Sequence, residues 1–509
     1  MNHPNSNPLN RREVLAGGLT LAAGVEVRAA RRDRVRRENA REGTSDWQLT
    51  RVRINEGKWR TSLIEGYCSQ QSYLAGETLR ICVSTAPARR FHLDLYRMGY
   101  YGGKGARLVR RWEALPGRTQ PVPPMGPLPG RLRECRWEPS LEVTIPEEWP
   151  SGVYLGKLTT VPESPSEPYW QSYVIFVIRD ERPADLLFQV SDNTWQAYNQ
   201  WPAAESLYTH PEGAHAAGVA VSFDRPYGMY TQIFQPALSI GSGEFLLWEF
   251  PLCFWLEQQG YDVTYVSNSD CLEPAALTRA KAFLSVGHDE YWDPRQYAAA
   301  GAAIQAGVSY LWLCGNAVFM ASPFSASADG RPKRILTRTG SYGPLRDEER
   351  AAYPTLFPGI VQRGPDERMI IGARSVVPFN GGGDWTCAKP EHWVFAGTGM
   401  RRGESIPGLV GWEHHGDPDP DHAGLEVLAE GPVWAGGITE GRYAATIFPG
   451  PTGNLVFNAA TIFWSQGLSS PPGHILPWSH WSRPHGPDAR VQRITRNVLR
   501  RALKPQTAA

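Results

Sequence analysis

Three compact apolar runs constrain this chain more than any other feature. LLFQV (186–190), AFLSV (282–286) and LWLC (311–314) are too short for buried helices and too uniformly apolar for half-exposed strands. Such runs are read as strands covered on both faces, the pattern of a parallel sheet. Helical stretches fall between them. FPLCFWLEQQG ends at Gly260, and DPRQYAAAGAAIQAG opens with Asp293 as N-cap and Pro294 in the first turn. Strands alternating with helices predict an α/β domain with a parallel sheet. YDVTYVS (261–267) is a further strand, and RYAATIFP (442–449) and NLVFNAAT (454–461) are late extensions.

The chain before this region has a different rhythm. From Trp47 to about Val177 the runs TLRICVST, FHLDLYRMG, LEVTIP, GVYLGKLT and SYVIFVI are short, turn-bounded and strand-like. They carry no 3.6-residue period, so an all-β, immunoglobulin-like sandwich is expected. The proline-rich stretch from Pro116 to Pro129 is a long surface loop. RDERPAD (179–185) marks a boundary. The expected organisation is a signal and linker over 1–45, a β-sandwich over 46–180 and an α/β domain over 181–505. Residues 321–440, rich in Gly, Pro and charge, are expected as irregular loops over the sheet edge.

Composition narrows the function. With 52 Lys and Arg against 51 Asp and Glu, the net charge is +1, which disfavours a nucleic-acid role. The N-terminus carries Arg11-Arg12, a mild apolar run from Val14 to Val25 and small residues at Ala29-Ala30. That order fits a twin-arginine export signal, and the run is too short for a stable membrane span. Seven cysteines form no CxxC pair, so no structural zinc ribbon is expected. In an exported protein Cys68 is a candidate to bridge Cys82 or Cys135. A GxSxG elbow, a P-loop and an HExxH motif are all missing.

In open parallel sheets ligands bind beyond the carboxyl ends of the strands. A polar cluster follows each apolar run directly: Ser191-Asp192-Asn193, His288-Asp289-Glu290 and Gly315-Asn316. His288 and Glu290 are two apart, so an extended backbone points both one way. An imidazole and a carboxylate there can share a metal, or one holds it while the other moves protons. The competing reading is a polar turn capping the next helix, but Asp293 already serves as that cap. VSDNTWQAYNQW and SFDRPYGMY add Tyr198, Tyr227 and Tyr230, with Tyr208 between them. GWEHHGDPDPDH holds Glu413, His414, His415 and three Asp without EF-hand spacing, and Glu413 after the apolar GLVGW is the one expected to point inward.

VSDNTWQAYNQW, SFDRPY, SVGHDEYW, CGNAVF, GLVGWEHHG and NAATIFWSQGL, in that order, resemble the large (beta) subunit of N,N-dimethylformamidase, as does YRMGYYGGKGAR in the β region. The resemblance covers about residues 50–470. It implies a fold similar to class I glutamine amidotransferases and a mononuclear iron (Fe³⁺) held by two tyrosinates and a glutamate. By motif, Glu290 resembles the glutamate ligand, and Tyr198 and Tyr227 resemble the tyrosine ligands, with nearby Tyr230 and Tyr208 as alternatives to Tyr227. His288, Asn316 and Glu413 resemble the family's nearby polar residues. The implied activity is hydrolysis of a small amide through metal-activated water, His288 passing a proton to the leaving amine. Possible assembly states are a homo-oligomer or a complex with a small partner subunit. Two other functions fit the same residues. One is an ester hydrolase using the same metal. The other is a non-catalytic sugar or cell-wall binder using Trp195, Trp201 and Trp292.

Overall fold

A computed structural model of the protein describes residues 34–57, 59–203, 205–213, 216–229, 237–345, 347, 360–411, 413–435, 438–474, 476 and 486–504. The expected export signal and Tyr230 lie outside the described residues.

Alternation along the strands of the first half divides their side chains between two cores. The strands are β1 (Glu65–Cys68), β2 (Ser72–Tyr73), β3 (Thr78–Ser84), β4 (Phe91–Met98), β5 (Ala106–Leu115), β6 (Leu141–Thr144), β7 (Gly152–Thr160) and β8 (Gln171–Ile178). They form a five-stranded sheet in the order β2-β8-β7-β4-β5 and a three-stranded sheet in the order β1-β3-β6. On β8, Val174, Phe176 and Ile178 pack with Leu79, Ile81 and Val83 of the smaller sheet. Tyr173, Ile175 and Val177, on the other face, join the core of the second half. β7 divides the same way, with Tyr154 in the first core and Val153 and Leu155 in the second. Both strands are therefore buried on both faces, and they hide the alternation an exposed antiparallel sheet would show.

The second half is built on a seven-stranded sheet. Its strands are β9 (Ala184–Gln189), β10 (Val263–Val266), β11 (Ala280–His288), β12 (Ser309–Gly315), β13 (Glu426–Ala435), β14 (Ile438–Pro449) and β15 (Leu455–Asn458). The spatial order is β10-β9-β11-β12-β15-β14-β13. The first five are parallel, and β14 and β13 return antiparallel. The described helices are few: α1 (Asp192–Tyr198), α2 (Phe245–Trp248), α3 (Phe250–Gln258), α4 (Pro294–Gln305) and α5 (Ala489–Ala502) are the main ones beside these strands. Asp293 caps α4 by accepting from Arg295 N at 2.8 Å, with Pro294 at its start. The fold is mixed α/β. Its chain order reverses between β9 and β11, and that crevice is where a parallel sheet offers a site.

Three expectations are corrected. Residues 34–45, expected as linker, include a helical turn over 34–39 that packs inward. Val35 there is buried, and Asn39 Oδ1 accepts from the backbone N–H groups of Tyr100 and Tyr101. β13 lies within the stretch expected as irregular. Its Gly431 and Pro432 obscured it, and an outermost strand tolerates proline; on its outer side only isolated bridges form, Trp434 with Gly382 and Ala429 with Cys387. All seven cysteines are free and buried, so Cys68 bridges neither Cys82 nor Cys135. Among the described residues no helix is long and apolar enough to cross a membrane.

Contacts bind the two halves. The guanidinium of Arg97 on β4 makes a fork with Glu257 on α3, at 2.8 and 3.0 Å, with both side chains buried. The loop from Pro116 to Pro129 is mostly exposed, as expected, and the segment that follows it reaches across. Arg131 Nη1 donates to Thr209 O, Arg133 Nη2 to Glu205 Oε1 at 2.8 Å, and Ala220 N to Gly130 O at 3.0 Å.

Candidate active site

β11 must end sharply for its side chains to reach the crevice. Gly287 has φ +72°, and a Cβ there would lie 2.5 Å from Trp248 Cβ. Only glycine takes that turn without strain or clash. His288 and Glu290 follow at once, both buried. Glu290 is anchored through its backbone, whose N–H donates to Thr194 Oγ1 on α1 at 3.0 Å. α1 starts directly after β9 and carries Tyr198 at its end.

Two tyrosines converge on Glu290. Tyr198 Oη donates to Glu290 Oε2 at 2.6 Å, and Tyr208 Oη to Oε1 at 3.0 Å. The two hydroxyls are 2.8 Å apart, and the rings stack with centroids 4.6 Å apart. Tyr291 Oη donates to Tyr208 Oη, and the Arg338 guanidinium lies over the Tyr208 ring at 5.3 Å. His288 Nε2 is 3.2 Å from Glu290 Oε2 and 3.8 Å from Glu413 Oε1. Burial, then the Glu290 carboxylate, pushes the Tyr198 and Tyr208 phenols well above their ordinary value. Arg338 opposes that rise at Tyr208. Both phenols donate to Glu290 as neutral hydroxyls.

Asn316 stands at the same sheet end, one residue beyond Gly315, which pairs with His288 across the β11–β12 ladder. Its Oδ1 is buried without a hydrogen-bond partner among the described residues. Asp289 faces the other way. It accepts from Gln189 Nε2 (2.6 Å), Ser285 Oγ (2.8 Å) and Asn268 Nδ2 (3.0 Å), tying three strand ends together beneath the site. Burial holds it at about 6.

The structure thus brings Tyr198, His288, Glu290 and Glu413 together and sets Asn316 beside them. Tyr227 is not among them. It packs edge-on against Trp195 at 6.1 Å and lines a separate cavity with Asp192, Phe223 and Arg334 against β1 and β8. Pro226 and the Arg225 hydrogen bonds to Gln196 and to the backbone of Trp201, Glu205 and Asn199 hold its loop there. Tyr208, rather than Tyr227, is the second tyrosine hydrogen-bonded to Glu290. Tyr208 was among the named alternatives; Tyr291 and Arg338 were missed, although Tyr291 directly follows Glu290. Trp195, Trp201 and Trp292 are interior, at 4%, 0% and 0% exposure, and Trp195 lines the same cavity as Tyr227.

Among the described residues no three His, Cys, Asp or Glu side chains are grouped to hold a metal ion. The donor set here is instead two phenol oxygens and a carboxylate. These are hard oxygen donors, and they fit a trivalent iron better than zinc or copper(I). The family model described as N,N-dimethylformamidase beta subunit-like, C-terminal, matches residues 92–477. The chain belongs to this family. The match takes in every residue of the cluster and the strands of the first half from β5 to β8. No curated protein matches the chain.

Proposed function

We propose that the protein is an iron-dependent hydrolase of small amides, with Tyr198, Tyr208 and Glu290 as ligands. The observation that carries this reading is the convergence of both phenol hydroxyls on the two oxygens of one buried carboxylate. Once ionised, the three groups carry three negative charges, matching Fe³⁺ at no net cost in buried charge. When bound, the iron supplies Lewis acidity toward an amide carbonyl and toward water.

The chain's own residues supply the rest. In amide hydrolysis a water oxygen bonds to the carbonyl carbon, the C–N bond breaks, and the nitrogen leaves with an added proton. His288, between Glu290 and Glu413, takes the proton from water and gives it to the leaving nitrogen. Glu413 keeps the imidazole oriented and balances its charge when protonated. Asn316 hydrogen-bonds the carbonyl oxygen as charge builds there. Burial of His288, Glu290 and Glu413 at 2% exposure or less limits the substrate to a small molecule. The reading includes an immunoglobulin-like sandwich carrying an amidotransferase-like catalytic half, export by the N-terminal twin-arginine-type signal and assembly with a small partner subunit.

Metal analysis and visible spectroscopy of protein expressed with ample iron test it. One iron per chain and a tyrosinate-to-iron absorption band are expected, both lost in Glu290→Ala. A colourless, iron-free wild type overturns it. A panel of small amides and the matching esters then defines the bond that is cleaved.

A further inference from the structure

The turn that carries Asn316 is strained. Asn316 and Val318 have φ of +51° and +56°, and neither is glycine. Left-handed backbone is uncommon for asparagine and unfavourable for a β-branched valine. Such a turn persists only where its surroundings hold it. Part of that hold is visible: Val318 N donates to Asp289 O, and Phe319 N and Met320 N donate to Glu290 O, each at 3.0 Å. These bonds pin the end of the turn and leave Ala317, beside Asn316, to another partner.

That partner is a side chain. His415 Nε2 accepts from Ala317 N at 2.9 Å. Accepting there requires Nε2 to carry no proton, so Nδ1–H is the donor toward Asn458 Oδ1 at 2.8 Å. Asn458 Oδ1 also accepts from Ala460 N at 2.9 Å, which fixes the amide with its oxygen toward the imidazole. Both ring nitrogens of His415 are thus satisfied in one neutral tautomer, and the ring is fully buried. His415 is two residues after Glu413, whose carbonyl accepts from Ile462 N at 3.1 Å, so one short segment holds both Glu413 and the Asn316 turn.

We propose that His415 is a positioning residue: as a neutral imidazole braced by Asn458, it clamps the strained Asn316 turn and sets the amide of Asn316 at the site. The catalytic consequence rests on the amide-hydrolase reading; the clamp itself does not. It is distinct from His288, because it touches neither Glu290 nor the tyrosines that converge on it.

The test compares His415→Leu with His415→Gln. Glutamine places a carbonyl oxygen close to where Nε2 stands and can accept from Ala317, and leucine cannot. Amide hydrogen exchange across residues 315–320 is measured with kcat, KM and iron content. In His415→Leu, exchange at Ala317 rises and kcat falls by roughly tenfold or more, while KM and iron content hold. His415→Gln restores both. Should the leucine variant fail to fold, His415→Asn serves the same comparison, because its shorter amide reaches Asn458 but not Ala317. Wild-type exchange and wild-type kcat in the leucine or asparagine variant overturn the proposal. An iron-free or inactive wild type overturns the amide-hydrolase reading, and the exchange comparison still decides the clamp.

Discussion

Each oxygen of Glu290 is taken by a different tyrosine, and this shows which residues matter. Tyr208→Phe removes one converging oxygen, so a loss of iron and a fall in kcat of roughly a hundredfold are expected. Tyr227→Phe is expected to leave both near wild type, since its ring faces the other cavity; paired metal analysis and turnover measurements check this. Glu290 and His288 were legible from sequence because a two-residue spacing after a buried strand gives side chains one direction. Tyr208 was not. It sits in an irregular loop where no periodicity orients a side chain, and its position depends on Arg338, Tyr291 and the loop from the first half. Tyr227 looked equivalent because residue type and proximity in sequence were all there was to judge by.

At the level of elements, the site depends on how strands end. Gly287→Ala combines a positive φ with a contact 2.5 Å from Trp248. A loss of about 3 kcal/mol is expected, read as a lowered melting temperature with a perturbed near-ultraviolet spectrum from Trp248. The parallel strands and the start of α4 were legible because apolar runs and the Asp-Pro cap are local signals. β13 was hidden by its own glycine and proline, and the proline is one that an outermost strand accepts more readily than an inner strand. The helical turn over 34–39 was hidden in a run of arginines, because its burial comes from partners distant in sequence.

The whole molecule is held together by polar groups as well as by its apolar cores. Arg97→Met leaves the Glu257 carboxylate buried without its cation and is expected to cost about 3–5 kcal/mol. The double change with Glu257→Leu should cost less, which thermal melts of both variants would show. Acid stability has a defined sign. Burial lowers His415 from 6.5 to about 4. Between those values the unfolded chain binds the proton and the folded chain does not, so stability falls as pH drops from 6.5 to 4. The full loss is about 3 kcal/mol for this one residue. Asp192, raised to about 8 by burial, acts in the opposite direction. The difference between wild type and His415→Gln, followed by melts from pH 7 to 4, therefore isolates the histidine, and the glutamine variant should lose less. The loop over 116–135 carries a last consequence. Because Arg131 holds the Thr209 carbonyl and Arg133 the Glu205 carboxylate, on either side of Tyr208, a chain trimmed to begin at β9 would keep every residue that touches the reaction and lose the mould that shapes one of them. The first half is therefore no detachable accessory. Recombining either half with a foreign partner would require transplanting this loop together with the segment it grips.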